Sequence, residues 1–63
     1  MMNTMARIMD RETAEHFYAW LDRTIPVEEQ NTAEESILAL LADYPDMVRT
    51  HSWPEMLDLA FSR

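Results

Sequence analysis

The chain has 63 residues, a hydrophobic content of 48% and a net charge of -7, and it contains no glycine, no cysteine and no lysine. The missing glycines exclude the phosphate-binding loops G-x-G-x-x-G and G-x-x-x-x-G-K-[ST] and disfavour tight β-hairpin turns. The missing cysteines exclude a disulfide framework, a thiolate nucleophile and a cysteine-based zinc site.

The size of the chain predicts a single small domain over residues 1–63, with residues 1–9 as a flexible segment or an arm. Because a chain of about 60 residues buries only about 60% of its unfolded surface, self-association or a partner is the expected supplement to its stability. No apolar run reaches the ~18 residues of a membrane span, and residues 1–7 lack the apolar stretch of a signal peptide. We therefore expect a soluble cytoplasmic protein without a membrane partner.

Apolar spacing predicts a first helix over about 11–25. Asp10 is the expected N-cap, and Glu12 lies in the first turn, where the helix dipole favours a carboxylate. Extending the helix backwards would place Ile8 about 125° from the centre of the apolar stripe, so a break near Asp10 is expected. The residues of the stripe are Ala14, Phe17, Tyr18, Leu21 and Ile25.

A second helix is predicted over about 32–44. Two overlapping capping patterns mark its start, with Asn31 or Thr32 as the cap and a glutamate three residues later. Pro45 biases Tyr44 away from helical geometry and ends the helix. The apolar stripe consists of Ala33, Ile37, Leu40, Leu41 and Tyr44.

A third helix is predicted over about 53–62, beginning with a capping box from Ser52 to Glu55 and with Pro54 in its first turn. One further helical turn is expected near 46–50. Together these elements predict an all-α fold, a compact bundle of three main short helices. The third apolar stripe consists of Trp53, Met56, Leu57, Ala60 and Phe61.

An alternative interpretation makes residues 5–9 a short strand ahead of the helices. That order resembles the ribbon-helix-helix repressors and antitoxins, which dimerise through the strand. The resemblance implies an antitoxin-like or regulatory homodimer that binds DNA. The chain lacks the usual glycine between the helices, and Arg7 is the one basic residue in the strand. A dimer would carry twice the net charge of -7, which suits phosphates poorly.

Catalytic residues and metal ligands are scarce in the sequence. The two histidines, His16 and His51, stand far apart in the chain. Glu12 and His16 have the i, i+4 spacing of an ordinary solvent-facing pair, whereas a di-metal bundle would use Glu-x-x-His. We therefore expect no enzyme activity, no catalytic residue, no metal site and no cofactor.

Much of the negative charge lies between residues 25 and 45, which contain no cation. Glu28, Glu29, Glu34 and Glu35 surround the predicted start of the second helix. The helix dipole accounts for the last two, and solubility is the simplest account of the acidity as a whole. A local negative patch would also fit a basic groove meant for nucleic acid. The same acidity opposes direct binding to nucleic acid.

Trp20, Leu38 and Leu59 lie off the apolar stripes, and Arg23 lies on the same side of the first helix as Trp20. Exposed apolar patches mark interfaces, and tryptophan and arginine are enriched among binding hot spots. We therefore expect these four residues to contact a partner; the alternative is that short helices wrap closely enough to bury the flanks.

The most economical functional hypothesis is a small acidic interaction module that binds a larger, basic protein and modulates or inhibits it. In size, acidity and lack of catalytic residues, the chain resembles small phage-encoded inhibitors of nucleic-acid machines, including anti-CRISPR proteins and transcription inhibitors.

Overall fold

A computed structural model describes residues 8–62, and the regular elements in that range are all helices. Four helices lie wholly within it: α1 (Arg11–Thr24), α2 (Val27–Asp43), α3 (Met47–Thr50) and α4 (Trp53–Ser62). The prediction of an all-α bundle is confirmed, and α3 is the extra helical turn expected near 46–50. None of the helices in residues 8–62 is long and apolar enough to cross a membrane.

The start of α1 confirms the predicted N-cap. Asp10 has an extended backbone, and its Oδ1 accepts a hydrogen bond from the Thr13 backbone N–H at 2.8 Å. Hydrogen bonding from Thr13 holds the pKa of Asp10 below its usual value, because it favours the ionised carboxylate. The chain bends at Met9, so the expected break before α1 is also present.

The start of α2 lies earlier than predicted. α2 begins at Val27, directly after Pro26, and the expected caps Asn31 and Thr32 lie inside the helix. Pro26 is the N-cap residue, with the φ of -56° that the proline ring imposes and an extended ψ of 146° that keeps it outside the helix. The Pro26 carbonyl accepts a hydrogen bond from the Glu29 N–H at 2.8 Å. The proline therefore sets the start of α2, and the capping pattern at Asn31 goes unused.

Gln30 links the first turns of α2 to the end of α1. Its Nε2 donates hydrogen bonds to the Ile25 carbonyl at 3.0 Å and to the Leu21 carbonyl at 3.4 Å. The last carbonyls of a helix have no partner within the helix, so Gln30 satisfies groups that the end of α1 leaves open. This contact ties the short connection between the two helices.

The start of α4 confirms the predicted capping box. The Ser52 N–H donates to Glu55 Oε1 at 2.8 Å, and the Glu55 N–H donates to Ser52 Oγ at 3.4 Å. The hydrogen bond from the Ser52 backbone is the main cause that holds the pKa of Glu55 below its usual value. Reciprocal bonds of this kind satisfy two backbone donors at a helix start.

The core forms around α2, which packs against both α1 and α4. No polar or charged side chain among residues 8–62 is buried, so the polar chemistry of this part of the chain lies at its surface. The buried residues form one cluster: Met9, Phe17, Trp20, Leu21, Ala33, Ile37, Leu40, Leu41 and Met56.

The strand expected at residues 5–9 in the alternative interpretation is wrong for the two of its residues that the structure describes. Ile8 is helical, and Met9 is a core residue with 6% of its surface exposed. Because Met9 is buried within its own chain, it is not free to pair with a second copy. Residues 5–7, and most of the expected arm over residues 1–9, lie outside the described range.

Candidate protein-binding surface

The four glutamates of the predicted patch all lie on α2, but they project in three directions. At 100° per residue, Glu28 and Glu35 lie within about 20° of each other, on the side of α2 opposite its buried residues. Glu29 lies on the flank towards α4, where it lines a groove. Glu34 lies on the flank towards α1 and contacts it. The expected single patch is therefore corrected to an acidic band around the first half of α2.

Glu34 differs from the other three because it has a partner on α1. The Tyr18 hydroxyl donates a hydrogen bond to Glu34 Oε2, and Glu34 is half-buried. Burial of the phenol, the hydrogen bond to Glu34 and the charge of Glu34 raise the pKa of Tyr18 to about 12. Each cause disfavours the phenolate. Glu34 therefore joins α1 to α2, whereas the exposed glutamates of the acidic band are free to meet a partner.

Replacing Tyr18 by phenylalanine should alter the stability of the protein at alkaline pH. A folded-state pKa of about 12, raised from 10.0, gives stability that is complete below pH 10 and is lost as the pH rises through 12. We expect Tyr18→Phe to remove this alkaline loss and to cost about 1 kcal/mol at neutral pH, because solvent screens a partly exposed pair. Urea unfolding followed by far-UV circular dichroism over this pH range measures both effects.

Tyr44→Phe is the matched control, because it removes the phenol of the other tyrosine and leaves the hydrogen bond between Tyr18 and Glu34 in place. The alkaline loss of stability should therefore persist in Tyr44→Phe. The chain has no lysine, so lysine ammonium groups add nothing to the alkaline titration. An undiminished alkaline loss in Tyr18→Phe would contradict the stabilising role of the hydrogen bond.

The expected role of Trp20 as an exposed anchor is wrong, because only 7% of its surface is exposed. Its ring stacks on Trp53 of α4, with centroids 6.4 Å apart, and on Phe17, with centroids 6.5 Å apart. Phe17 and Trp53 are themselves 5.0 Å apart. α4 therefore covers the flank of α1 on which Trp20 lies. The alternative interpretation, burial of the flanks by neighbouring helices, is correct for this residue.

The other three candidate contact residues differ in their exposure. Leu38 is half-buried and packs against the core, which makes it a poor anchor. Leu59 keeps 39% of its surface exposed. Arg23 is exposed and makes no ion pair with any of residues 8–62. Leu59 and Arg23 are therefore available to a partner.

Three aromatic residues of the predicted apolar stripes are exposed instead of buried: Phe61 is 58% exposed, Tyr44 is 54% exposed and Tyr18 is 39% exposed. Phe61 borders a groove of about 250 Å³ between α2 and α4, the α2–α4 groove, lined by Ile25, Glu29, Thr32, Ala33, Leu57 and Phe61. Periodicity alone identified Phe61 as apolar and on the stripe, and it gave no signal that the neighbouring helices leave this last turn of α4 uncovered.

Positive charge is scarce on the described surface, where Arg11, Arg23 and Arg49 are the cations of residues 8–62. Arg11 Nε lies 3.8 Å from Glu15 Oε2, and Arg49 Nη2 lies 3.5 Å from Asp46 Oδ1. Exposed pairs of this kind add little stability, but they place two of the three arginines beside carboxylates. The acidic band of α2 has no arginine among its own residues, and the local charge there is negative.

The histidines do not form a recognisable catalytic arrangement in the described range. His16 is exposed on α1, and His51 is half-buried, with its Nδ1 2.8 Å from Thr50 Oγ1. No cluster of three His, Asp or Glu side chains in residues 8–62 is placed to hold a metal ion. The surface of α2 and α4 is therefore the best-supported candidate site.

No protein-family model matches the chain, and neither the curated proteins nor the solved structures contain a match. The assignment of a function consequently depends on the charge and shape of the described surface.

Proposed function

We propose that the protein is a small interaction module that binds a larger, basic protein and modulates or blocks it. The observation that carries this proposal is the distribution of charge: the chain has twelve Asp and Glu residues, and none of the polar or charged side chains of residues 8–62 is buried. An anionic surface of this density attracts a basic surface over a distance and speeds their encounter. Complementary charge also rejects partners of the wrong sign.

A protein with a groove for nucleic acid offers the matching charge, because such grooves carry arginine and lysine against phosphates. We propose that the acidic band of α2 occupies such a groove in place of nucleic acid. The resemblance to phage-encoded inhibitors extends the proposal to a CRISPR effector or a transcription enzyme as the target. Inhibition would follow because the two anionic ligands compete for one surface.

Affinity capture followed by kinetics tests the proposal. The full chain, immobilised, is exposed at low ionic strength to a lysate of the cells that produce it, and retained proteins are identified by mass spectrometry. We expect a basic protein whose association rate falls as salt is added, since screening shortens the range of attraction to about 10 Å at 0.1 M. A duplex oligonucleotide should displace the protein from this partner.

Three outcomes contradict parts of the proposal. Capture of no protein, or of a partner whose association rate is independent of salt, would contradict electrostatic recognition. A partner that binds in a salt-dependent way and still binds the duplex in the complex would contradict the mimicry of nucleic acid. A concentration-dependent homodimer in light scattering, with no other partner, would favour the regulatory dimer instead.

A further inference from the structure

The α2–α4 groove is apolar, unlike the acidic surface beside it. Its floor includes Ala33, which is 3% exposed, and its walls include the half-buried Ile25 and Leu57. Phe61 forms one edge, with most of its surface exposed. The volume of about 250 Å³ lies below the ~300–1,000 Å³ of typical small-molecule sites. The groove therefore suits an apolar side chain of a partner better than a free ligand.

Carboxylates stand beside this apolar surface. Glu29 lines the groove, and Glu28 precedes it in the first turn of α2. On α4, Asp58 is three residues before Phe61, a spacing that makes them neighbours on a helix surface. No arginine of residues 8–62 lines the groove. An occupant with a positive charge next to its apolar side chain would match both properties of the site.

We propose that the α2–α4 groove binds a partner segment that presents a large apolar side chain beside an arginine or lysine. The inference depends on the proposed function, and it adds the place where the partner docks and the sequence chemistry that it uses. The apolar side chain packs between Phe61 and Leu57, where exposed apolar surface is removed from water. The cation lies against Glu29, and Glu28 adds to the negative potential.

Charge disfavours a second copy of the chain as the occupant. A second copy would bring its own net charge of -7 to an edge that already carries carboxylates, and like charges at an interface are unfavourable. An external basic segment meets no such obstacle.

Two short helical peptides serve as probes of the groove. Both are alanine-based and carry leucines on one face; arginines flank the leucines in the first, and glutamates replace those arginines in the second. We expect the arginine peptide to shift the backbone amide resonances of Ala33, Leu57 and Phe61 in nuclear magnetic resonance spectra of the isotope-labelled full chain. The glutamate peptide should leave these resonances unchanged.

Single substitutions then separate the groove from other exposed apolar surface. Phe61→Ala should weaken binding of the arginine peptide about thirtyfold, the effect of losing a hot-spot side chain. Val27→Ala is the matched control, because Val27 is also an exposed apolar residue and lies outside the groove. The affinity of this control for the peptide should stay within about twofold of the original, as expected for a residue outside the contact. Glu29→Gln should weaken the arginine peptide, and Glu12→Gln on α1 should not.

Several results would overturn the assignment of the groove. The first is that neither peptide shifts any resonance, or that the shifts fall on another surface. The second is that both peptides bind equally, and the third is that Phe61→Ala and Val27→Ala have equal effects. A dimer that covers Phe61 would make a second copy the occupant. Tighter peptide binding after removal of residues 1–7 would make that segment the occupant.

The captured partner distinguishes failure of this inference from failure of the proposed function. If salt-dependent binding to the partner is unchanged in Phe61→Ala, the groove is not the docking site and the proposed function stands. If no basic partner is found while the arginine peptide still binds at Phe61, the groove is a binding site and the proposed function is wrong.

Discussion

Replacing Phe17 by alanine is expected to leave the protein largely unfolded at room temperature. Phe17 is 0% exposed, and its ring centroid lies 5.0 Å from those of Tyr18 and Trp53. A Phe→Ala change in a core costs about 3–5 kcal/mol, whereas one core in a chain below about 70–80 residues rarely supplies more than ~3–5 kcal/mol. The near-UV circular dichroism of the aromatic cluster and the helical far-UV signal should therefore both be lost.

Phe61→Ala is the control, because it deletes the same atoms from a side chain that is 58% exposed. Its free energy of unfolding should change by about 0.5 kcal/mol or less, as for surface substitutions in general. A folded and cooperative Phe17→Ala would mean that the aromatic cluster is not the centre of the core. A large loss in Phe61→Ala would mean that Phe61 is more buried in solution than in the structure described.

The helix starts that the sequence predicted correctly depend on neighbouring residues alone. Asp10 caps α1 by accepting a hydrogen bond from the Thr13 N–H. Ser52 and Glu55, three residues apart, exchange hydrogen bonds at the start of α4. The same reasoning misplaced the start of α2, where Asn31 had equally suitable chemistry. Pro26 and the contact of Gln30 with the end of α1 begin the helix earlier. Once α2 extends through Asn31, the backbone groups there bond within the helix and a side-chain cap has no function.

Exposure at the flanks of the helices could not be predicted because it depends on how the helices cross. Trp20 and Phe61 are both large aromatic residues, and the apolar stripes placed one outside the core and the other inside it. The structure reverses both, since α4 covers Trp20 and no described helix covers Phe61. Helical periodicity gives the direction in which a side chain leaves its own helix. It carries no information about which neighbour lies in that direction.

The two features of the candidate site, its negative charge and its apolar contact, differ in how far they depend on packing. The negative charge is a property of the composition, so it does not change when the helix boundaries change. The apolar contact is a property of packing, and it moves from Trp20 to the α2–α4 groove beside Glu29. The partner of such a surface should be recognised by long-range charge first and by an apolar contact at close range.

Replacing Glu28, Glu29 and Glu35 by glutamine is expected to slow association with the basic partner about tenfold at low ionic strength, the lower end of electrostatic steering effects. Glu34 is left in place because it bonds to Tyr18. The three changes remove part of the net charge of -7 from exposed positions of one helix. Stopped-flow association rates at several salt concentrations should show a weaker salt dependence than the original protein, with a smaller change in the dissociation rate.

The matched control removes three exposed carboxylates outside α2, with Glu12→Gln, Glu15→Gln and Asp46→Asn, and therefore changes the net charge by the same amount. If the acidic band of α2 faces the partner, this control should slow association by about twofold or less at 0.1 M salt, where charges farther than a Debye length of ~10 Å from the partner are screened. Equal slowing by both triple variants would mean that net charge alone attracts the partner. Unchanged rates in both would contradict electrostatic recognition altogether.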